Sequence, residues 1–174
     1  GVMFDEGLGV SQNDATAFKW FTLAAEQGIA LAQIYLGAMY QKGQGVPQND
    51  KTAVKWYTLA AKQGYASAQY NLGVMYAIGK GVPQNYKSAV KWFKLASKQG
   101  VIDAQYNLGV MYEGGLGVIH NKIYAHMWGT IAAANGHENG AKVREFVANR
   151  MTPSQIEKAQ DLARECVKKN YKGC

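Results

Sequence analysis

The sequence lacks the motifs by which enzymes, metal-binding proteins and membrane proteins are usually recognised. No run of about 18 apolar residues exists, so no membrane-spanning helix is expected. There is no four-cysteine set, no phosphate-binding glycine loop and no carboxylate pair in a recognisable catalytic context. The three histidines do not fall at metal-ligand spacing, and we expect neither a metal nor a cofactor.

One short stretch, in contrast, is written three times. Leu36–Tyr40, Leu72–Tyr76 and Leu108–Tyr112 follow one another at intervals of 36 residues, and Gly1–Phe4 reads as the tail of a further copy. A fixed period of this length predicts a repeat architecture. The chain carries no signal peptide at its start and begins inside a repeat, so we expect a fragment of a longer chain or a processed precursor.

Each copy has the pattern of two helices. Ala66 to Ile78 has apolar residues at helical spacing, and Gly79 follows where a left-handed residue ends a helix. Asn85 is a natural N-cap for a second helix over Tyr86 to Gln99. Such a pair cannot bury its apolar side alone, which predicts that neighbouring pairs stack in series.

Glycine also recurs in the middle of the first helix of each copy. A glycine there costs about 0.5–1 kcal/mol relative to alanine, so its return implies close approach of the paired helix. We predict that the recurring tryptophans pack there and belong to the core. The positions concerned are Gly37, Gly73 and Gly109, and Trp20, Trp56, Trp92 and Trp128.

The repeated unit resembles the Sel-one-like repeat, a bacterial relative of the tetratricopeptide repeat. The resemblance rests on Ala-x-Ala-Gln-x-x-Leu-Gly-x-Met-Tyr, Gly-x-Gly-Val-Pro-Gln-Asn, Ala-Val-Lys-Trp-Tyr/Phe and Leu-Ala-x-x-Gln-Gly. It implies an all-α, right-handed superhelical solenoid of antiparallel helix pairs that serves as an adaptor surface for other proteins. We expect repeats over 1–136, the first truncated and the others at 30–65, 66–101 and 102–136. Residues 137–174 are then a terminal half-repeat, a capping helix and a tail.

The last full unit departs from the pattern, because Met127 stands where the other units have lysine. This indicates that a face exposed elsewhere is covered here by the C-terminal segment. Thr152, Pro153 and Gln155 form the start signal of that segment, a capped helix running to about Lys169. Its predicted buried stripe is Ile156, Ala159, Ala163, Cys166 and Val167.

The two cysteines, Cys166 and Cys174, allow two interpretations. Either Cys166 is a buried apolar residue and Cys174 an unrelated thiol, or the two form a disulfide that folds the tail back. The disulfide is the favoured hypothesis. It would place the protein in an oxidising compartment, such as a bacterial periplasm or the extracellular medium.

One pair of residues invites an enzymatic alternative. Ser88 and Lys91 have the Ser-x-x-Lys spacing of penicillin-binding enzymes, which suggests a cell-wall or penicillin-interacting activity. Thr16 and Thr52 occupy the serine slot in other copies, however, and the companion motifs of that class are missing. We therefore predict a protein without catalytic activity.

The net charge of +7 comes largely from lysines in the second helices. The resemblance places those helices on the outer wall, where lysines form a solvated face. We expect no nucleic-acid partner, because we predict that no aromatic residues interleave with the lysines. These lysines are Lys19, Lys55, Lys62, Lys87, Lys91 and Lys98.

The resemblance also implies that first helices line a concave groove that receives a protein or peptide. Tyrosine supplies contact area at low entropic cost, and asparagine offers a donor and an acceptor to an extended backbone. Alternatively, the asparagines bond the neighbouring helix and only hold the solenoid together. The predicted groove residues are Ile34, Tyr35, Ala38, Tyr70, Asn71, Val74, Tyr106, Asn107 and Val110.

Overall fold

The computed structural model describes residues 13–174, and this part of the chain contains nine helices and no strand. The helices are α1 (Asp14–Glu26), α2 (Ala30–Lys42), α3 (Asp50–Lys62), α4 (Ala66–Ile78), α5 (Tyr86–Ser97), α6 (Ile102–Gly114), α7 (Lys122–Ala134), α8 (Gly140–Ala148) and α9 (Pro153–Lys168). The predicted all-α class is confirmed. Across these helices, none combines the length and the apolar character needed to span a bilayer. The partial copy at Gly1–Phe4 lies outside the described residues.

The described residues form two compact units, the first ending at Gln84 and the second beginning at Asn85. The first unit contains α1 to α4, and each of these helices packs on the next along the chain. In the second unit the same holds from α5 to α8, and α9 packs back on α7. Helices joined by short loops run antiparallel, so each unit consists of helix pairs stacked in chain order, as expected for a solenoid.

The helix ends follow from the recurring asparagines and glycines. Asn49 Oδ1 accepts a hydrogen bond from the Thr52 amide at 3.1 Å, and Asn85 Oδ1 accepts one from the Ser88 amide at 2.9 Å. Gly79 ends α4 with φ of 72°, a conformation that favours glycine. The predicted caps are confirmed, and the first helices α2, α4 and α6 each contain 13 residues.

The loop between the two helices of a copy lies against the preceding second helix. Gly81 has φ of 73°, and a Cβ at this position would collide with the main chain of Asp50, the first residue of α3. Gly45 and Gly117 make the same approach to the first turns of α1 and α5. Only glycine therefore fits at this loop position.

At Gly37 the mid-helix glycine does provide the predicted close approach, but its partner is Tyr57 and not a tryptophan. A Cβ on Gly37 would lie 2.8 Å from the Tyr57 ring. The Tyr57 hydroxyl donates to Gln41 Oε1 at 2.8 Å, and burial raises the pKa of Tyr57 to about 12. The aromatic residue that fills the core of this pair is thus the one after the tryptophan.

The prediction that all four tryptophans belong to the core was wrong. Trp20 is 53% exposed, and Trp56 and Trp92 are half-buried. Only Trp128, at 1% exposure, is a core residue. Neighbouring residues on a helix face different directions. Where the residue after the tryptophan is the buried one, the tryptophan therefore lies at the boundary with solvent.

Helix α9 covers α7. This was predicted from Met127, which stands where the other repeats have a lysine. Met127 is buried, and Thr152 and Gln155 form the expected capping box before the buried Ala159. Helix α9 ends at Lys168 with Lys169 as its C-cap, close to the predicted end. Two residues of the predicted stripe differ, because Ile156 is half-buried and Val167 is exposed. The buried stripe is therefore narrower than the apolar residues of the sequence suggested.

The tail is held on the second unit by a disulfide and a hydrogen bond. Cys166 and Cys174 form the disulfide, with their Cα atoms 5.7 Å apart. The Tyr171 hydroxyl accepts a hydrogen bond from Asn135 Nδ2 at 3.0 Å, next to the end of α7. The structure therefore contains the bridge that was the favoured of the two interpretations.

Candidate functional site

The predicted groove residues of the first unit lie on α2 and α4 and are partly accessible to solvent. All six are half-buried, with one part of each side chain in contact with the protein and another part exposed. These residues are Ile34, Tyr35, Ala38, Tyr70, Asn71 and Val74. Helix spacing brings three of them to one side of each helix. The other three predicted groove residues, Tyr106, Asn107 and Val110, lie on α6 of the second unit. We use the name first-helix face for these nine predicted residues taken together.

Tyr35 is fixed by an aromatic partner from the preceding helix. Its ring stacks on Phe21 of α1, with centroids 4.8 Å apart and an interplanar angle of 16°. Phe21 is itself buried in the core of the first unit. An aromatic side chain held in this way offers contact area to a ligand with little further loss of conformational entropy.

In the second unit, Tyr106 has a similar support. Its ring stacks on that of His137, with centroids 4.1 Å apart. His137 Nδ1 accepts from the Asn139 amide at 3.2 Å, and Nε2 lies 3.5 Å from Asp103 Oδ1. The three interactions fix the histidine ring, and the histidine ring fixes Tyr106. The sequence analysis did not assign His137 to the site, because its contact with α6 is not visible in any local pattern.

Asn71 and Asn107 are the polar members of the first-helix face. Within residues 13–174, neither side-chain amide makes a hydrogen bond to another part of the protein. Both residues are half-buried, so their amides reach solvent. The alternative in which these asparagines bond the neighbouring helix therefore has no support among the described residues. Each amide retains a donor and an acceptor for a ligand.

A different set of amides joins the helices of successive copies, and the sequence analysis overlooked it. Gln33 is buried; its Nε2 donates to Ala25 O at the end of α1, and its Oε1 accepts from Gln63 Nε2 at 2.9 Å. Buried polar groups are normally satisfied in this way. The visible signal was the recurrence of Gln33, Gln69 and Gln105 at the repeat period. These buried glutamines belong to the packing between helices, whereas Asn71 and Asn107 are half-buried on the first helices.

The candidate catalytic pair is not assembled. Ser88 lies in the first turn of α5, where its amide is used by the Asn85 cap. Lys91 is exposed, and its Nζ lies 6.0 Å from the centroid of the Trp92 ring. In the described residues, no hydrogen bond joins Ser88 to Lys91. A nucleophile and its base need such contact, so this geometry gives no support to the enzymatic alternative.

The histidines form ordinary contacts instead of a metal site. His120 Nε2 lies 3.9 Å from a Glu113 oxygen, and His126 lies in the core of the second unit. From residue 13 onward, no three histidine, cysteine or acidic side chains are placed so that they could hold a metal ion.

The predicted lysine surface carries aromatic residues, contrary to expectation. Lys19 and Lys55 are exposed, and the neighbouring Trp20 and Trp56 are partly exposed with them. The expectation that no aromatic residues interleave with the lysines was wrong, because it assumed that the tryptophans were core. This face can present aliphatic stems, charges and indole rings together.

The Sel1 repeat family matches the sequence over residues 1–29, 30–65, 66–101 and 102–137. The chain belongs to the Sel1 repeat family. Proteins built from Sel1 repeats generally act as scaffolds for protein–protein interactions, and the fold is typically non-catalytic. Among curated proteins, none matches this sequence.

Two solved structures of bacterial Sel1 repeat proteins are similar to this chain. The crystal structure of a Sel1 repeat protein from Oxalobacter formigenes is 33% identical with a TM-score of 0.78, and the match covers 96% of this chain and 70% of that one. The second is c5321, a protective antigen of uropathogenic Escherichia coli strains with an SLR fold. It is 27% identical with a TM-score of 0.68, and the match covers 98% of this chain and 45% of the antigen. This Sel1 repeat chain thus spans less than half the length of the antigen.

Proposed function

We propose that this Sel1 repeat chain is a non-catalytic adaptor and that, in each unit, the residues of the first-helix face bind an extended segment of a partner protein. The observation that carries the proposal is that Asn71 and Asn107 are half-exposed and have unbonded amides. An extended peptide has unpaired amides and carbonyls at regular spacing, and each asparagine supplies one donor and one acceptor to them. Tyr35 on α2 and Tyr106 on α6, each fixed by stacking, supply apolar contact area.

The ligand should be weakly charged or mildly apolar. The nine residues of the first-helix face include no charged side chain, and they lack the lysine and arginine pairs that would hold a carboxylate. A charged peptide would lose its hydration against this face without gaining an ion pair.

A photo-crosslinking experiment identifies the partner segment. A benzophenone amino acid at Val74, on the first-helix face, should crosslink to a partner protein, and the crosslinked peptide is then sequenced by mass spectrometry. The control places the same label at the exposed Lys51, on a second helix. A partner captured equally well from both positions would argue against the first-helix face.

The affinity test uses the double variant Asn71→Ala and Asn107→Ala with a peptide of the captured sequence. Loss of two hydrogen-bonding amides should weaken binding by about tenfold or more, since each net hydrogen bond contributes about 0.5–1.5 kcal/mol. The matched control is Asn149→Ala, which removes an exposed amide without a hydrogen bond at the end of α8. Unchanged affinity of the double variant, with an unchanged circular dichroism spectrum, would remove the asparagines from the site.

We also propose that the protein works in an oxidising compartment, either a bacterial periplasm or the extracellular medium. The disulfide between Cys166 and Cys174 supports this, because such bonds persist mainly outside the reducing cytosol. Alkylation of free thiols in freshly lysed cells, followed by mass spectrometry, tests the proposal. Two alkylated cysteines in the native protein would contradict it.

A further inference from the structure

A groove in the second unit, separate from the first-helix face, has the properties of a small-molecule site. It lies between α7, α8 and α9 and has a volume of about 790 Å³. Sites for small molecules usually measure about 300–1,000 Å³ and have mainly apolar walls with a few polar groups. None of the residues that line this groove belongs to the first-helix face, so the two surfaces are independent.

The apolar part of the groove comes from all three helices. Ile131 on α7 and Ala163 on α9 are buried, whereas Ala148 on α8 and Ile156 on α9 are half-buried. Val167, which the sequence predicted to be buried, also lines the groove and is 46% exposed. An aliphatic chain placed here would remove this apolar surface from water.

The charges around the groove are predominantly positive. Its lining includes the three cations Arg144, Arg164 and Lys168 and one anion, Glu145. Arg144 pairs with Glu145, and Arg164 pairs with Asp161, which is not part of the lining. The Lys168 ammonium has no ion pair or hydrogen bond within residues 13–174. A ligand anion would therefore meet an uncommitted cation beside the apolar walls.

A buried histidine adds a polar group with spare bonding capacity. His126 lines the groove and is only 2% exposed, and its Nδ1 lies 3.4 Å from Thr130 Oγ1. Its Nε2 has no hydrogen-bond partner in the described part of the chain. Burial, followed by the neighbouring Arg144, lowers the pKa of His126, so the ring is neutral near pH 7. When Thr130 donates to Nδ1, the neutral ring carries its hydrogen on Nε2 and can donate it to an anionic ligand.

We propose that this groove binds a small amphiphile with an aliphatic chain and one carboxylate, of which a fatty acid is the simplest example. The aliphatic chain of the ligand lies along the apolar walls of α7, α8 and α9, and the carboxylate of the ligand is bound by the cations of the lining. The size of the groove suits a small molecule, the excess of positive charge favours an anion, and the apolar walls favour an uncharged body.

Isothermal titration calorimetry with decanoate tests the proposal, at concentrations below those at which decanoate forms micelles. Decanoate should bind saturably at one site, and decyltrimethylammonium, with the same chain and a positive head, should bind at least about tenfold more weakly. An acetylated trileucine peptide with a free carboxyl end separates a lipid-like ligand from a peptide terminus. Equal binding of the two amphiphiles, no saturable decanoate binding, or binding of the peptide alone would each overturn the proposal.

The variant Lys168→Glu tests the role of the uncommitted cation. Reversing this charge should weaken decanoate binding by about tenfold, because attraction is replaced by repulsion at an exposed position. The matched control is Lys158→Glu, which makes the same change of net charge at an exposed lysine of α9 outside the lining. An equal loss of affinity in both variants would overturn the assignment of the carboxylate to this groove.

A second variant, Ala148→Trp, fills the groove from its half-buried side. It should abolish decanoate binding while leaving the helical circular dichroism spectrum unchanged. Retention of full decanoate affinity in a folded Ala148→Trp protein would overturn the proposal. If this variant does not fold, the comparison of Lys168→Glu with Lys158→Glu decides the question.

Discussion

Helices α3 and α7 are the second helices of their repeats, but residues at corresponding positions differ in their exposure to solvent. Lys55 and Leu59 of α3 are exposed and Trp56 between them is half-buried. The corresponding residues of α7, which are Met127, Trp128 and Ile131, are each 1% exposed. The difference arises from α9, which packs on α7, and from the tail, whose Tyr171 and Cys174 lie near Trp128. A tryptophan in this repeat is therefore a surface or a core residue according to whether a later segment of the chain covers it.

The two helices also differ in how closely they approach their neighbours. In α3 the slot after the tryptophan is Tyr57, whose ring lies over Gly37. In α7 the same slot is Gly129, where a Cβ would lie 2.9 Å from the Arg144 amide nitrogen of α8. A large ring thus fills the space in the ordinary repeat, whereas main chains approach one another in the last one. In the terminal repeat, the helices pack closely through their main chains, and no large side chain is needed to fill the space between them.

The largest predicted effect comes from giving α7 the lysine of the ordinary repeats. Met127→Lys should destabilise the second unit by about 3–5 kcal/mol, because the charge would be buried beneath α9 without a partner. The reverse change in α3, Lys55→Met, should alter the free energy of unfolding by less than about 0.5 kcal/mol. Urea denaturation followed by circular dichroism measures both. If the two substitutions lowered the free energy of unfolding by similar amounts, α9 would not be what buries residue 127.

The disulfide that holds the tail should have the next largest effect. Cys174→Ser should lower the free energy of unfolding by about 2–3 kcal/mol, because the loop from Cys166 is then open in the unfolded state. A reducing agent should destabilise the wild-type protein by a similar amount and leave the variant unaffected. Thermal melts of both proteins with and without the reducing agent check this, and an unchanged wild-type melt would contradict it.

Alanine in place of the mid-helix glycine should distinguish the two kinds of packing. Gly37→Ala places a methyl group 2.8 Å from the Tyr57 ring, so we expect a net loss of about 1–2 kcal/mol. At Gly109 the nearest atoms, including Val143 Cγ1, would lie at 3.4 Å, an ordinary contact. Gly109→Ala should therefore change stability by less than about 0.5 kcal/mol, since better helix propensity offsets the tighter contact. Urea denaturation of both variants tests the difference, and equal costs would refute it.

The smallest predicted effect is the pH dependence contributed by His126, which has no histidine counterpart in α3. Its pKa is lowered in the folded protein by burial and then by Arg144, so below about pH 6.5 the unfolded chain binds more protons. The contribution of the neutral His126 ring to the free energy of unfolding is complete above pH 6.5. It is lost as the pH falls below this value, by at most about 1.4 kcal/mol per pH unit. Arg144 opposes protonation of the His126 ring. The other charged side chains that line the groove beside this ring are Glu145, Arg164 and Lys168.

His126→Gln is the control for this pH dependence. The other histidines are present in both proteins, so their titration cancels in the difference between the two unfolding curves. A difference that does not change between pH 8 and pH 5 would contradict the expected contribution of His126.

The helices and their ends were predictable because their signals are local. Asn49, Asn85 and Gly79 act within one turn of their own positions, and repetition distinguishes such signals from chance. The choice between Trp56 and Tyr57 as the core residue was not predictable. Both lie three or four residues from Ala53 and from Ala60, so the apolar pattern is compatible with either residue facing the core.

The candidate sites were predictable only in part, for the same reason. Tyr35 and Asn71 could be placed on the first helices from their spacing, and the structure shows both of them half-buried there. The support of Tyr106 by His137 depends on packing between two helices, which no local pattern records. The groove beside His126 depends on the angle at which α9 packs against two other helices, and that angle is a property of the tertiary structure alone.

The glycine that touches the preceding helix has a consequence for how such chains change in length. Because Gly81 lies directly against the start of α3, an extra residue in this loop would force the two copies apart. We therefore expect insertions and deletions of a few residues to be disfavoured at this point, although most surface loops tolerate them. Duplication or loss of a whole copy of 36 residues leaves every such contact intact. We therefore expect the length at this junction to change mainly by complete copies.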